Sequence, residues 1–294
     1  MLLRILGAAA GGGFPQWNCN CPVCAGARDG SAVPRTQSSI AVRSADGPWV
    51  LVNASPDLRQ QLAELPVDRA GSLRTMPVGA IVLTDAEIDH TAGLLLLREA
   101  GRPLDVYCTR EVRDALTDHY PVLRMLERYS GVRWHELVPG EVTAIAGSAL
   151  EIEPFVTGGD APLYMGDADG PTAVGLTIRE PGGGALSYAP AIAELDAELA
   201  QRLAASDCVL ADGTFWTSDE LVSLGLGTRD SWAMGHAPLT GEGGTLTRLA
   251  GLGPRTILIH INNSNPILLD GSPQRALARD HGVEVAHDGL EVEL

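Results

Sequence analysis

The sequence predicts one α/β domain spanning 1–294, built as a four-layer αββα sandwich. Apolar runs of strand length recur through both halves of the chain, and amphipathic stretches of helix length follow them. No low-complexity linker separates the halves, and 294 residues are ample to bury a core. Two β-rich halves, each with helices on one side, fit a sandwich better than one singly wound parallel sheet.

The elements follow in order. Leu2 to Leu6 reads as a strand, and the glycines at 11–13 and the cysteines after them read as a tight turn and an irregular metal-holding loop. Ser39–Arg43 and Trp49–Asn53 read as strands of a hairpin, because Asp46-Gly47 between them is a strong turn pair. Asp57–Leu65 has the pattern of an amphipathic helix, with Ser55 as its cap and Pro56 at its first position. Gly79–Thr84 is a buried strand that runs into Asp85-Ala-Glu-Ile-Asp-His90, and a helix starts at Thr91. A strand at Leu104–Cys108 and a helix from Arg110 to Tyr129, interrupted near Pro121, complete the first half. The second half offers strands at Glu151–Val156, Ala173–Ile178 and Ala185–Tyr188, a helix at Ala191–Ala205 and a strand at Asp207–Asp212. A helix at Thr245–Leu252, a strand at Thr256–His260, and a last helix and strand close the chain.

Composition narrows the function. The net charge of −16 comes from 37 acidic and 21 basic side chains, and every basic one is Arg. A lysine-free chain has no Schiff-base Lys, no phosphate-loop Lys and no Lys nucleophile; the bias itself is compositional. The acidic excess leaves no basic stripe for nucleic acid. No run approaches the roughly 18 apolar residues of a membrane span, and the first residues are too short and too weakly basic for a secretory signal. The expectation is a cytoplasmic protein that handles small molecules.

Three of the 5 cysteines, Cys19, Cys21 and Cys24, fall within six residues. Thiolates at this spacing converge on one soft cation, and structural zinc needs a fourth ligand from elsewhere. Cys108 and Cys208 sit in apolar runs and read as small core residues. Asp85, Glu87, Asp89 and His90 place three carboxylates and an imidazole directly after a strand. So oxygen-rich a set favours iron or manganese, whereas the plain alternative is an acidic helix start that complements the helix dipole. Asp212, His236 and His260 lie at or beyond later strand ends. A lone His there is more often a structural hydrogen-bonder, but with the 85–90 segment they make a set. His119, His135, His281 and His287 read as surface or packing residues. The glycines at 11–13 do not meet the dinucleotide G-x-G-x-x-G frame.

Read together, the stretches Ala9–Pro22, Arg35–Val42, Asn53–Arg59, Ile88–Leu94, Asp212–Trp216, Met234–His236 and Leu258–Ile267 resemble the metallo-β-lactamase superfamily over essentially the whole chain. Within it they resemble the branch tied to biosynthesis of the coenzyme pyrroloquinoline quinone (PQQ). The resemblance implies a metallo-β-lactamase-like sandwich, but the metal motif departs from the superfamily pattern. His-x-His-x-Asp-His has Asp85 and Glu87 at its two leading His positions, while Asp89 and His90 remain. The middle His expected after Glu151–Val156 has no counterpart in Gly158–Tyr164. Losing three imidazoles speaks against a dinuclear zinc hydrolase.

What the resemblance implies instead is Fe2+ held by Asp85, Glu87, Asp89, His90 and His260, with Asp212 or His236 as a further ligand or support. The implied reaction is hydroxylation by dioxygen of the tyrosine-derived ring of the Glu-Tyr precursor of PQQ. In it His90, His236 and Asp212 serve catalysis, His236 moves protons, and Arg35 and Arg59 pair with substrate carboxylates. Related phosphodiesterases complete the Cys trio with a His where this chain has Asn263; Asn263, another residue or water completes the zinc here. The implied partners are that precursor and dioxygen, neither nucleic acid nor membrane, and a homodimer is allowed. A carrier of PQQ or its precursor and a metal-dependent hydrolase are the alternatives.

Overall fold

A computed structural model describes residues 1–45, 47–66, 73–166 and 172–294. Asp46, half of the hairpin's turn pair, lies outside the described residues, but the strands flanking it do pair antiparallel.

Two seven-stranded sheets form the middle layers. The first runs in spatial order β14 (Glu291–Glu293), β1 (Leu2–Gly7), β2 (Ser39–Arg43), β3 (Trp49–Val52), β4 (Val78–Val82), β5 (Leu104–Cys108) and β6 (Val132–Glu136). The second runs β13 (Val283–Val285), β12 (Arg255–Ile259), β11 (Cys208–Asp212), β10 (Ala185–Ala189), β9 (Val174–Arg179), β8 (Glu151–Val156) and β7 (Thr143–Ala144). In each sheet one end is antiparallel and the other parallel: β3 to β6 in the first, β10 to β13 in the second. Parallel neighbours require crossovers. These carry α2 (Leu58–Glu64), α3 (Ile88–Thr91), α4 (Arg110–Asp114) and α5 (Val122–Leu126) in the first half, and α6 (Ala197–Ala204), α7 (Glu220–Ser223), α8 (Leu246–Ala250) and α9 (Pro273–Asp280) in the second. The remaining helix, α1 (Pro22–Arg28), follows the cysteines.

The period-2 geometry of buried strands sorts their side chains into three cores. Val50, Val52, Val82, Leu210, Ile257 and Ile259 meet between the sheets. Their neighbours Leu51, Ile81 and Val106 face the first helical layer, and Val209, Ala211 and Leu258 face the second. Cys108 and Cys208 are fully buried among these, as their apolar settings predict. Leu210 is 0% exposed in the central core. Leu210→Ala is expected to cost about 2–5 kcal/mol, read as a lower denaturant midpoint at unchanged slope.

Several boundaries differ from the sequence reading, each for a local reason. The segment Ala191–Ala205 becomes helical only at Ala197, where Asp196 accepts from the Leu199 amide at 2.7 Å. Before that, the Ile192 and Ala193 amides are committed to Asp212 and Thr157. Ser55 is not the cap of α2: its hydroxyl accepts from the Asp57 amide at 3.2 Å and bonds Gln61, and the helix starts at Leu58. The cysteine loop is part helix, because the Cys21 sulfur accepts from the Cys24 amide and caps α1. β6 is a half-exposed edge strand without an apolar run, and β14 leaves the second half to pair with β1. No helix of the described residues is long and apolar enough to cross a membrane.

Candidate metal centre

The parallel strands β3, β4, β11 and β12 end on one edge, the edge where α/β sheets place ligands. Beyond β4 the chain reaches Asp85 and α3, which carries Asp89 and His90; β11 ends in Asp212; His260 follows β12. Asn53 after β3 (φ 62°) and His260 (φ 57°) are non-glycine residues in left-handed backbone. Such conformations persist where surrounding bonds over-determine them. Asn53 accepts from the Thr84 amide at 3.0 Å, and the Ile261 amide next to His260 donates to the Ala8 carbonyl at 3.0 Å.

A carboxylate only accepts, so the imidazoles facing carboxylates donate through Nδ1. His90 Nδ1 lies 2.7 Å from Asp85 Oδ2, and His236 Nδ1 lies 2.7 Å from Asp212 Oδ2. Thr214 gives its hydroxyl proton to Asp212 Oδ1, which leaves its oxygen to accept from His260 Nδ1 at 2.9 Å. All three Nε2 atoms are thereby left as ligand lone pairs, the arrangement by which carboxylate-backed histidines hold metals. Among the described residues His90 Nε2 is buried without a hydrogen-bond partner; it lies 3.8 Å from Asp89 Oδ2, which is 3.4 Å from His260 Nε2. Donors about 2.1 Å from one ion stand roughly 3.0–3.4 Å apart. The Asp89–His260 pair matches that spacing and the Asp89–His90 pair is about 0.4 Å wider, so a small closure of the three side chains would let one cation take Asp89, His90 and His260 and satisfy the orphaned nitrogen. Asp212, His236 and His260 form a second cluster that shares His260.

The charges agree with this. Burial alone would lower the His90 pKa, but Asp85 and Asp89 raise it to about 9. Burial opposes ionisation of Asp89, yet His90 and His260 hold it well below the usual carboxylate range. Burial, with repulsion from His90 and His236, lowers His260. The carboxylates that raise His90 are the charges that would favour a cation beside it.

The site opens into a cavity of about 460 Å3 walled by Phe215, Leu163, Tyr164 and Met234 as well as by the histidines. Glu87 lines it but joins neither metal cluster, and burial with the charges of Asp85 and Asp89 raises its pKa to about 7. Asp85 is not a ligand either, because its oxygens are taken by His90, the Thr84 hydroxyl and the Glu87 amide. Both Asp212 oxygens are likewise engaged, by Thr214, Ile192 and His236. The structure places the two expected arginines away from this cavity. Arg35 is buried and donates to the Ala286 carbonyl, Arg59 is exposed on α2, and neither lines the cavity. Arg229 does line it. Sequence reasoning missed the roles of Thr214, Asn53 and Arg229; Thr214 and Asn53 stood within quoted stretches, whereas Arg229 did not.

Glycine turns bring the cysteine loop to this centre: a Cβ on Gly11 would stand 3.3 Å from the Asp89 carboxyl carbon. The three sulfurs gather within one cluster. Asn263 Nδ2 stands 3.2 Å from Cys24 Sγ, and its carbonyl is 3.7 Å from the Cys21 and Cys24 sulfurs. Burial pushes the Cys21 thiol up to about 12, whereas the Cys21 amide and neighbouring sulfurs, acting against burial, draw Cys19 down. A cation would reverse the first effect by deprotonating the thiol. Arg28 clasps the loop by donating to the Cys19 and Gln16 carbonyls.

Behind the centre, Glu220 is 7% exposed and accepts from the Ser264 hydroxyl and the Trp216 amide. Burial raises its pKa from 4.5 to about 7. The folded state then holds more protons than the unfolded one across that window, so this group's contribution to stability falls as pH rises through it. Glu220→Gln is expected to remove that slope: its urea midpoint should gain on the wild type between pH 5 and pH 8.

An αββα sandwich with two donor clusters at its strand ends defines a β-lactamase superfamily domain, and the Beta-lactamase superfamily domain model matches residues 48–261. The chain is 46% identical to the Coenzyme PQQ synthesis protein B of Azoarcus sp. (strain BH72) and 44% identical to that of Azotobacter vinelandii (strain DJ / ATCC BAA-1303), with 100% of each chain covered. The crystal structure of Zn2+-bound PqqB from Methylobacterium extorquens, 39% identical, matches with a TM-score of 0.91 over 100% of both chains. The chain belongs to the coenzyme PQQ synthesis protein B family. A diphosphatase from the PhnP family, at 20% identity and a TM-score of 0.67, shares the fold.

Proposed function

We propose that the chain is an iron-dependent oxygenase of PQQ biosynthesis that hydroxylates the tyrosine-derived ring of the Glu-Tyr precursor. The observation that carries this is the donor set. Asp89, His90 and His260, with His90 Nε2 buried and unpartnered, offer one carboxylate and two imidazoles beside a cavity of about 460 Å3. Such a facial set with open positions suits non-haem Fe2+. Family membership supports the pathway, and the Zn2+-bound relative supports the metal capacity of the fold. Zinc at Cys19, Cys21 and Cys24, with Asn263 beside them, is the structural counterpart.

Iron held there would supply the one-electron chemistry that dioxygen needs to react with a closed-shell ring. One oxygen atom enters a C–H bond and the other leaves as water, with two protons and two electrons from a reductant. The residues do the rest. Phe215, buried at the cavity wall, with Met234 and Leu163 toward its mouth, offers the ring an apolar surface. His236, its Nδ1 proton held by Asp212, offers Nε2 to take the phenolic proton.

Anaerobic iron loading, followed by oxygen, a reductant and the precursor, is expected to give a product one oxygen atom heavier by mass spectrometry. Iron-replete protein that leaves the precursor unchanged overturns the proposal. If an Asp89→Ala, His90→Ala double variant also bound the precursor as tightly as wild type, a carrier role would stand instead.

A further inference from the structure

We infer that Arg229 anchors the carboxylate of an aromatic carboxylate substrate at the cavity mouth, and that Asp160 occupies it until substrate arrives. The wall carries the carboxylates Asp85, Glu87, Asp89 and Asp160, and its one guanidinium among the described residues is Arg229. The whole chain carries a charge of −16 and no Lys, so the one permanently charged cationic side chain that an anion meets at this cavity, among the described residues, is Arg229. The apolar walls, Phe215, Leu163 and Met234, take the ring.

The position of Arg229 is built. A Cβ on Gly235 (φ 75°) would stand 2.9 Å from the Asp160 amide nitrogen, so only glycine lets these two loops touch. The Arg229 loop is tied down by the Ser231 amide donating to the Ser218 carbonyl at 2.9 Å, and by the His236 amide donating to the Ser231 carbonyl at 3.0 Å. Arg229 and His236 thus face the same cavity from one short loop. The Arg229–Asp160 contact is long, at 3.4 Å, with side chains 44% and 59% exposed. A pair so exposed holds weakly, whereas a carboxylate can take the guanidinium fork with two parallel bonds. Asp160 is therefore a placeholder that substrate displaces.

This inference rests on the cavity being the substrate site but not on oxygen chemistry, and its test does not use turnover. The probes are 3-(4-hydroxyphenyl)propionate and its neutral amide, titrated by calorimetry into the full-length zinc-loaded chain. Wild type is expected to bind the acid about tenfold or more tighter than the amide. Arg229→Gln should erase that preference and leave amide binding unchanged, Arg229→Lys should keep part of it, and Asp160→Asn should tighten the acid. Undiminished acid preference in Arg229→Gln overturns the inference, as does equal weakening of both probes or failure of wild type to bind either. A chain that shows the Arg229-dependent preference but hydroxylates nothing keeps this assignment and loses the oxygenase.

Discussion

Asp89→Asn is expected to leave the sandwich folded and to lower metal affinity at the His90–His260 centre by about 100-fold or more. Asp89 supplies the negative charge of that centre, and its Oδ2 is 3.4 Å from His260 Nε2. Asparagine keeps the shape but offers a neutral oxygen, a poorer ligand for a hard dication. The isosteric change matters because Gly11 packs directly on the Asp89 carboxyl, so a larger residue would confound the result. Asp85→Asn makes the comparison sharper. Asp85 acts through His90, whose ring it fixes at 2.7 Å, so its loss is expected to cost roughly 10–100-fold. Competition with a chelator measures both affinities, and thermal melting checks the fold. Wild-type affinity in Asp89→Asn would mean that the ion does not depend on Asp89 and is held toward His236 and His260 instead.

The division between Asp89 and Asp85 also shows where the sequence was legible. Buried strands announce themselves, because Gly79–Thr84 and Asp207–Asp212 are apolar on both faces and end in the residues that matter. That was enough for the four layers and for the set Asp89, His90, Asp212, His236 and His260. Which carboxylate binds and which one orients was not legible, since the choice depends on whether the Asp85 oxygens are already taken by Thr84, Glu87 and His90. Arg35 and Arg59 were misplaced for a related reason. A basic residue near a motif in sequence gives no direction, and the loop that does bring a cation to the cavity, at Arg229, has no periodic pattern. Likewise α1 is hidden because a thiol, an unusual cap, starts it at Cys21.

Cys21→Ser is the second large effect, and it reaches further than the loop itself. Cys21 is both a member of the sulfur trio and the cap of α1. An ion bound only by the folded chain stabilises it by about 4 kcal/mol when present at about 1,000 times its Kd. Its loss is expected to lower the melting temperature by roughly 10 °C in a chain of this size. A chelator should lower the wild-type melt by more than it lowers that of Cys21→Ser, which has lost the cysteine-bound ion and keeps the donors of the other centre. Serine is itself a strong N-cap, so Cys21→Ser loses the sulfur and keeps the helix start, whereas Cys21→Ala loses both; the difference between these two variants isolates the contribution of the cap. The wider consequence follows from Asn263, whose carbonyl faces the Cys21 and Cys24 sulfurs at 3.7 Å. Asn263 lies three residues after His260, whose left-handed backbone (φ 57°) aims its ring at Asp89. The loop therefore grips the segment that presents a ligand to the other centre. Cys21→Ser is accordingly expected to weaken metal binding at Asp89, His90 and His260 as well, though it removes no donor there. Unchanged affinity at that centre would reduce the cysteine loop to a staple on the fold, with His260 held by Thr214 alone.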